Sequence, residues 1–213
     1  MTNKLRGTMG PAEAANYNRI ALTLNAPIYS FYANRILGST GISRGLCLDV
    51  GCGGGYLGLA LAGITALDFI FMDRSEAMLD HARQNIHDKG LAWRACTLAG
   101  EVQAIPLPDQ AVDLVISRGS VGFWQDLPKA FAEVHRVLRP SGKAYIGGGL
   151  GPPELRERIT LEMAEKEPTW GRQSHRPPIR KPGEYAQALR EAAIGPSLVE
   201  QNDVGTWIQF TKT

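Results

Sequence analysis

The stretch from Leu48 to Ala62, LDVGCGGGYLGLALA, constrains this chain more than any other. A short apolar run closes on an acid, Asp49, and an apolar helical pattern begins soon after it. Between them Gly51, Gly53, Gly54 and Gly55 keep the turn clear of side chains. A ligand can therefore lie against backbone N–H groups at the start of the helix. The spacing G-x-G-x-x-G also occurs, at Gly53, Gly55 and Gly58, and on its own invites a dinucleotide. Register argues against that. A pyrophosphate site takes its first glycine directly after the strand, whereas here Asp49 comes first and a phosphate would meet like charge. The turn suits a small cationic or zwitterionic nucleoside.

A second apolar run, FIFMD, ends on Asp73, 24 residues beyond Asp49. Two acid-tipped runs at that separation suit a strand–turn–helix–strand unit of a parallel sheet. A carboxylate at the second strand tip accepts hydrogen bonds from a ribose diol and repels a 2′-phosphate. With these residues in view the chain resembles the class I S-adenosylmethionine (SAM) dependent methyltransferases. Their D-x-G-x-G-x-G turn reads here as Asp49-Val50-Gly51-Cys52-Gly53-Gly54-Gly55, and their ribose acid matches Asp73. Ala99-Gly100-Glu101-Val102 with Ile105-Pro106-Leu107-Pro108-Asp109 resembles their G-D-A-x-x-L-P-F-x-D stretch. Residues 113–117 resemble their fourth strand, and FAEVHRVLRPSGK, from Phe131 to Lys143, their R-V-L-K-P-G-G turn and its flanks. The resemblance covers residues 45–149 and is closest to the branch acting on small molecules such as quinones. It implies SAM as cofactor, with S-adenosylhomocysteine (SAH) as product. The implied cofactor contacts are Asp49, Gly51, Cys52, Gly53, Gly55, Asp73, Arg74, Met78, Glu101, Val102, Ser117, Arg118 and Tyr29. Two positions depart from the pattern. Glu101 stands where the family has Asp, and Ser141 replaces one glycine of the P-G-G turn.

The order of elements predicts an α/β fold, a doubly wound Rossmann-like sheet of seven strands. Most strands are parallel, with an antiparallel hairpin at the C-terminal end. Helical spacing of Tyr17, Ile20, Ala21 and Leu24, and of Ile28, Phe31, Tyr32 and Ile36, places two helices before the sheet. Parallel strands are predicted over 46–50, 69–73, 92–96, 114–117 and 143–146, and helices over 55–62, 75–89 and 126–139. Ser75 and Asp126 are read as N-caps, with Pro128 in a first turn where its missing donor is harmless. Further helices are predicted over 153–166 and 183–193, and the hairpin over 197–201 and 206–211. The whole reads as a single domain: cap helices over 1–40, a cofactor-binding core over 41–149, an acceptor-side insertion over 150–182, and a C-terminal helix and hairpin over 183–213.

A net charge of +2 gives no general case for nucleic acid or an anionic membrane. No apolar stretch approaches a membrane span, and the first residues lack the apolar core of a signal peptide. The three cysteines lack metal-ligand spacing and form no disulfide framework, so a reducing cytoplasm is the expected location. No metal site is expected. The segment Ser117–Trp124 lies where such a fold places its acceptor, and it lacks the N-P-P-Y-like tetrapeptide of methyltransferases acting on nucleobase amines. Arg118 can pair with the cofactor carboxylate, hold an anionic acceptor or make a structural ion pair. Trp124 offers an apolar wall, and Tyr29, Phe31 and Tyr32 offer aromatic faces for a sulfonium or simple helix packing. His175 lies in a basic insertion with Arg156, Arg158, Arg172, Arg176, Arg180 and Lys181, a patch for an anionic metabolite or a solvated face. Arg118, Trp124, Tyr32 and His175 are the candidates for roles in the reaction itself, and no catalytic base stands out. The function expected is methyl transfer from SAM to a small molecule. A non-catalytic SAM-binding scaffold and a protein methyltransferase are the alternatives. The sequence sets no oligomeric state.

Overall fold

The computed structural model describes residues 10–167 and 180–213. Two helices, α1 (Pro11–Leu22) and α2 (Ala26–Thr40), lead into β1 (Arg44–Val50). Then come α3 (Tyr56–Ala62), β2 (Ala66–Asp73), α4 (Glu76–Asp88), β3 (Ala95–Ala99) and β4 (Val112–Arg118). A short 3-10 turn (Val121–Phe123), α5 (Leu127–Val137) and β5 (Leu138–Gly148) follow. The described chain closes with α6 (Pro153–Lys166), α7 (Pro182–Glu191), β6 (Ser197–Asn202) and β7 (Gly205–Thr211). The seven strands form one sheet in the order β3-β2-β1-β4-β5-β7-β6. The first five are parallel, β7 pairs antiparallel with β5 and with β6, and the doubly wound seven-stranded expectation holds. Among the described residues no helix is long and apolar enough to cross a membrane.

Strand alternation sends side chains to two apolar layers. Phe69 and Phe71 join α1 to α4 and α6 on one face, around Ile20, Leu61 and Leu79. Met72 turns to the other face, where α5 and α7 bring Phe131, Val134 and Leu189 onto Ile146 and Phe210. Helix α5 shows why its residues fold as they do. The Asp126 carboxylate accepts the Lys129 N–H at 3.0 Å, Pro128 falls in the first turn, and Leu127, Ala130, Phe131, Val134 and Val137 make the buried stripe.

Three local expectations are corrected. Ser75 holds the N-cap position of α4, yet its side chain makes no cap bond; the Met78 N–H bonds to the Ser75 carbonyl at 3.0 Å, and Asp73 Oδ1 accepts the Ser75 N–H at 2.9 Å and fixes the entry to the helix. Strand β3 begins at Ala95, since 92–94 turn first and Arg94 is drawn away to cap other elements. Strand β5 begins at Leu138, directly after α5, through the pairing of Val112 with Leu138. In the Pro140-Ser141-Gly142 stretch Ser141 takes the left-handed backbone (φ 66°), and Gly142 is needed because a Cβ there would sit 2.8 Å from the Arg139 carbonyl.

Two interactions hold the β1–α3–β2 unit. The Arg94 guanidinium donates to the carbonyls of Ala62 at 2.7 Å and of Thr65 and Leu67 at 2.9 Å, so one side chain closes the end of α3 and the start of β2. Asp49, at 1% exposure, lies beneath the glycine turn and accepts the Gly58 N–H at 3.0 Å. Helix α3 packs so closely here that a Cβ on Gly58 would sit 2.4 Å from the Phe71 ring. Burial pushes the Asp49 carboxyl up to about 7, opposed by the Gly58 bond and reinforced by the nearby charge of Asp73.

Arg94→Met should therefore lower unfolding free energy by about 2–3 kcal/mol, the cost of stranding carbonyls that a charged donor satisfies. Urea denaturation measures it, and a loss under about 0.5 kcal/mol would contradict the capping role. For Asp49 the raised value means that the native state holds a proton that the unfolded chain has released. Stability should then fall as pH rises from about 4 to about 7, by at most about 1.4 kcal/mol per pH unit, and level off above that. Asp49→Asn keeps an oxygen for Gly58 and removes the titration. Urea midpoints at pH 5 and pH 8 should lie closer together in the variant than in the parent; equal separations would refute the assignment.

Candidate functional site

The sheet order reverses between β1 and β4, and in open α/β sheets the crevice at such a point, beyond the carboxyl ends of the strands, is where ligands bind. A cleft opens there. Its empty space, counted out to the solvent at its mouth, is about 930 Å³. Gly51 and Gly53 form its floor, Asp73, Arg74, Met78, Glu101 and Val102 one side, and Arg118, Ser120, Phe123 and Trp124 the other.

The floor is shaped by backbone bonds. The Gly51 and Cys52 N–H groups both donate to the Met72 carbonyl, at 2.8 and 3.0 Å, which carries the turn across from β1 to the end of β2. Gly51 is left-handed (φ 65°), and a Cβ on it would lie 2.4 Å from Ser120 Cβ. Glycine is required there by both conformation and space. The turn is then clamped by Asp73, whose Oδ2 accepts the Gly53 N–H at 2.9 Å while Oδ1 accepts that of Ser75. Burial moves the Asp73 carboxyl upward, partly offset by those two N–H bonds and by Arg74.

A carboxylate has about four acceptor positions. Two of those of Asp73 are taken by backbone N–H groups, which leaves two on the cleft wall. That donor-hungry pair matches the vicinal hydroxyls of a ribose, so the residues present fit an adenosine-bearing cofactor. Met78 and Val102, 4% and 7% exposed, supply apolar surface on the same side for a base.

The opposite wall is ordered by a hydrogen-bond chain whose direction follows from its ends. The Trp124 indole can only donate, and does so to Ser120 Oγ at 3.1 Å; the Val50 carbonyl can only accept, and takes the Ser120 hydroxyl at 3.1 Å. The Ser117 hydroxyl, 2.6 Å from Ser120 Oγ, is then the second donor to it. Trp124 is held further by Arg180, which donates to its carbonyl at 2.8 Å. Arg118 lies with its Cζ 5.0 Å from the centre of the Tyr29 ring and donates to the Gly149 carbonyl at 2.7 Å.

Of the residues expected at the site, Gly51, Gly53, Asp73, Arg74, Met78, Glu101, Val102, Arg118 and Trp124 line the cleft. The structure places the others behind it. Asp49 braces α3 from below, Cys52 is buried with its thiol toward the Gly53 carbonyl, and Gly55 is the N-cap of α3. Ser117 is fully buried and acts through Ser120. Tyr29 packs on Tyr56 with ring centres 5.3 Å apart and supports Arg118. Tyr32 is not on the cleft: its hydroxyl donates to the Val204 carbonyl and accepts the Gly151 N–H, and its ring packs on Trp207. Those bonds tie α2 to the β6–β7 turn and to the segment after β5, because a buried phenol needs partners. His175, Trp170, Arg172 and Arg176 lie outside the described residues. Ser120 and Phe123, within the segment 117–124 read as the acceptor side, also line the cleft, whereas sequence reasoning missed Tyr17, Gln103 and Gln125 there. Gln125 follows Trp124 and could have been found by adjacency; Tyr17 was hidden by its place in a helical core pattern. Among the described residues no cluster of side chains could hold a metal ion.

Comparison with known proteins agrees with this geometry. A methyltransferase domain model matches residues 48–146. A solved structure from Methanococcus maripaludis, provisionally described as an S-adenosyl-L-methionine-dependent methyltransferase, is 39% identical. It superposes with a TM-score of 0.87 over 95% of this chain and 93% of its own. The uncharacterized methyltransferase YdaC of Bacillus subtilis is 33% identical over 62% of this chain and 68% of its length. The mitochondrial arginine-hydroxylase NDUFAF5 of Rattus norvegicus is 29% identical over 75% of this chain; the match spans 45% of that longer protein. With a near full-length relative of this kind and its own cleft shaped for the adenosine of SAM, the chain belongs to the S-adenosylmethionine-dependent methyltransferase family.

Proposed function

We propose that this protein transfers a methyl group from SAM to a small-molecule acceptor. One observation carries the reading: the Asp73 carboxylate, clamped by Gly53 and Ser75 at the rim of a side-chain-free turn, keeps two acceptor positions on the cleft wall. When bound, the cofactor supplies an activated methyl on sulfur and a neutral thioether leaving group. The chain's own work is to hold donor and acceptor in line and to exclude water. Asp73 and the floor glycines fix the nucleoside, Met78 and Val102 take the base, and the Ser117–Ser120–Trp124 chain holds a rigid apolar wall beside the reacting end. The shape supports a small acceptor, because Phe123, Trp124 and Gln125 bound the cleft on the side away from Asp73.

A second reading comes from the similarity to NDUFAF5, whose name assigns it hydroxylation of arginine, so that a protein side chain is the alternative acceptor. Incubating the protein with a metabolite extract and methyl-labelled SAM separates the two, with label in small molecules supporting the first and label in protein the second. The cofactor assignment has its own test. By titration calorimetry, Asp73→Ala should weaken SAH binding by at least tenfold, about 1.4 kcal/mol or more, through loss of charge-assisted bonds to the ribose. Unchanged affinity in the folded variant would remove Asp73 from the site.

A further inference from the structure

The Asp73 clamp on Gly53 is not the only hold on the glycine turn. Asn85, buried on α4, donates from its amide nitrogen to the Gly54 carbonyl at 2.9 Å and to Asn18 Oδ1 at 2.8 Å. The Tyr56 hydroxyl, at the start of α3, donates to the same Asn18 oxygen at 3.0 Å. A carbonyl only accepts, so the Asn85 amide is fixed with its nitrogen toward Gly54. Both of its N–H groups and both lone pairs of Asn18 Oδ1 are then in use. A Cβ on Gly54 would lie 2.5 Å from the Tyr56 hydroxyl oxygen and 2.8 Å from Asn18 Oδ1, so a bare turn makes room for this network.

Asn18 belongs to α1 and follows Tyr17, which lines the cleft with its ring centre 5.9 Å from that of Tyr56. One oxygen therefore bears both on how α1 sits at the cleft and on how the turn is held at Gly54. Helix α1 is also anchored by buried Ala14, Ile20 and Ala21, so apolar packing keeps it on the domain apart from the polar bonds.

We infer that Asn18 and Asn85 are positioning residues of the cofactor site, coupling the docking of α1, and with it Tyr17, to the conformation of the glycine turn. Neither lines the cleft; they act through Gly54, Tyr56 and Tyr17. A nucleoside bound on the turn then tightens α1, and by linkage a well-docked α1 tightens the nucleoside. The inference rests on the cofactor reading and extends it to a helix that lies before the matched domain of residues 48–146.

The experiment compares the parent with Asn18→Ala, Asn85→Leu and Tyr56→Phe, after thermal melts confirm which of them fold. Asn85→Leu keeps the bulk of the buried side chain, and Tyr56→Phe removes one donor alone. Amide hydrogen exchange is followed by mass spectrometry over residues 11–22 and 51–59, with and without SAH, and SAH affinity is measured by calorimetry. In the parent, SAH should slow exchange over 11–22 by about tenfold. Asn18→Ala and Asn85→Leu should each weaken SAH by about tenfold and abolish most of that protection, with Tyr56→Phe weakening SAH by about threefold. In the free protein, Asn18→Ala should speed exchange over 51–59 by about fivefold, although the change is on α1. A network that serves stability alone would lower the melting temperatures, leave SAH affinity within about twofold and keep the protection of α1, and that result overturns the proposal. So does a parent in which SAH leaves exchange over 11–22 unchanged. Failure of the parent to bind SAH at all would count against the methyltransferase reading instead. The free protein still judges the coupling in that case: faster exchange over 51–59 in Asn18→Ala supports it, and unchanged exchange overturns it.

Discussion

The site depends on one carboxylate tying two pieces of backbone together. Asp73 sits at the tip of β2 and accepts N–H groups from Gly53, across the turn that follows β1, and from Ser75, at the start of α4. Those bonds set the height of the glycine turn above the sheet and the direction in which α4 leaves it. They also fix the carboxylate itself, so its remaining lone pairs face the cleft at no further conformational cost. Every other feature of the cleft is arranged around that fixed point. Gly51 presses against Ser120 from the neighbouring strand end, and Ser120 in turn orders Trp124.

The two acids of the motif have different tasks, and burial separates them. Asp73 reaches the cleft and is held by donors that favour its charge. Asp49, one strand over, is enclosed with a single backbone donor, and its carboxyl rises to about 7. The carboxyl that a phosphate on this turn would meet is that of Asp73, which lines the cleft, with Asp49 acting on α3 from inside the fold. The dinucleotide-like spacing at Gly53, Gly55 and Gly58 also has a structural meaning. Gly58 serves close packing of α3 on Phe71 and Asp49, while Gly55 caps the helix.

Much of the fold was legible because its signals are local and repeated. Two acid-tipped apolar runs, the glycine turn, the Asp126 cap and the bounds of α6 each follow from spacing and short-range chemistry. The elements that shifted are those set by tertiary pairing. Strand β5 starts early because Val112 offers Leu138 a partner, and the entry to α4 is set by Asp73, which accepts the Ser75 N–H, while the Ser75 side chain makes no cap bond. At the site, residues on the glycine turn and the β2 tip could be placed from sequence. Residues brought in by α1, such as Tyr17, could not, since a helix that packs as core gives no sign of which turn overhangs a cleft. Tyr32 was misplaced for a related reason: an aromatic at helical spacing looks the same whether it faces a ligand or, as here, a carbonyl 172 residues away.

The most direct measurement is a crystal structure of the protein grown with SAH. Both ribose hydroxyls should donate to Asp73 at about 2.7 Å, with the adenine against Met78 and Val102 and the Gly53 bond to Asp73 retained. A nucleoside seated elsewhere, or one whose ribose leaves Asp73 untouched, would contradict the account.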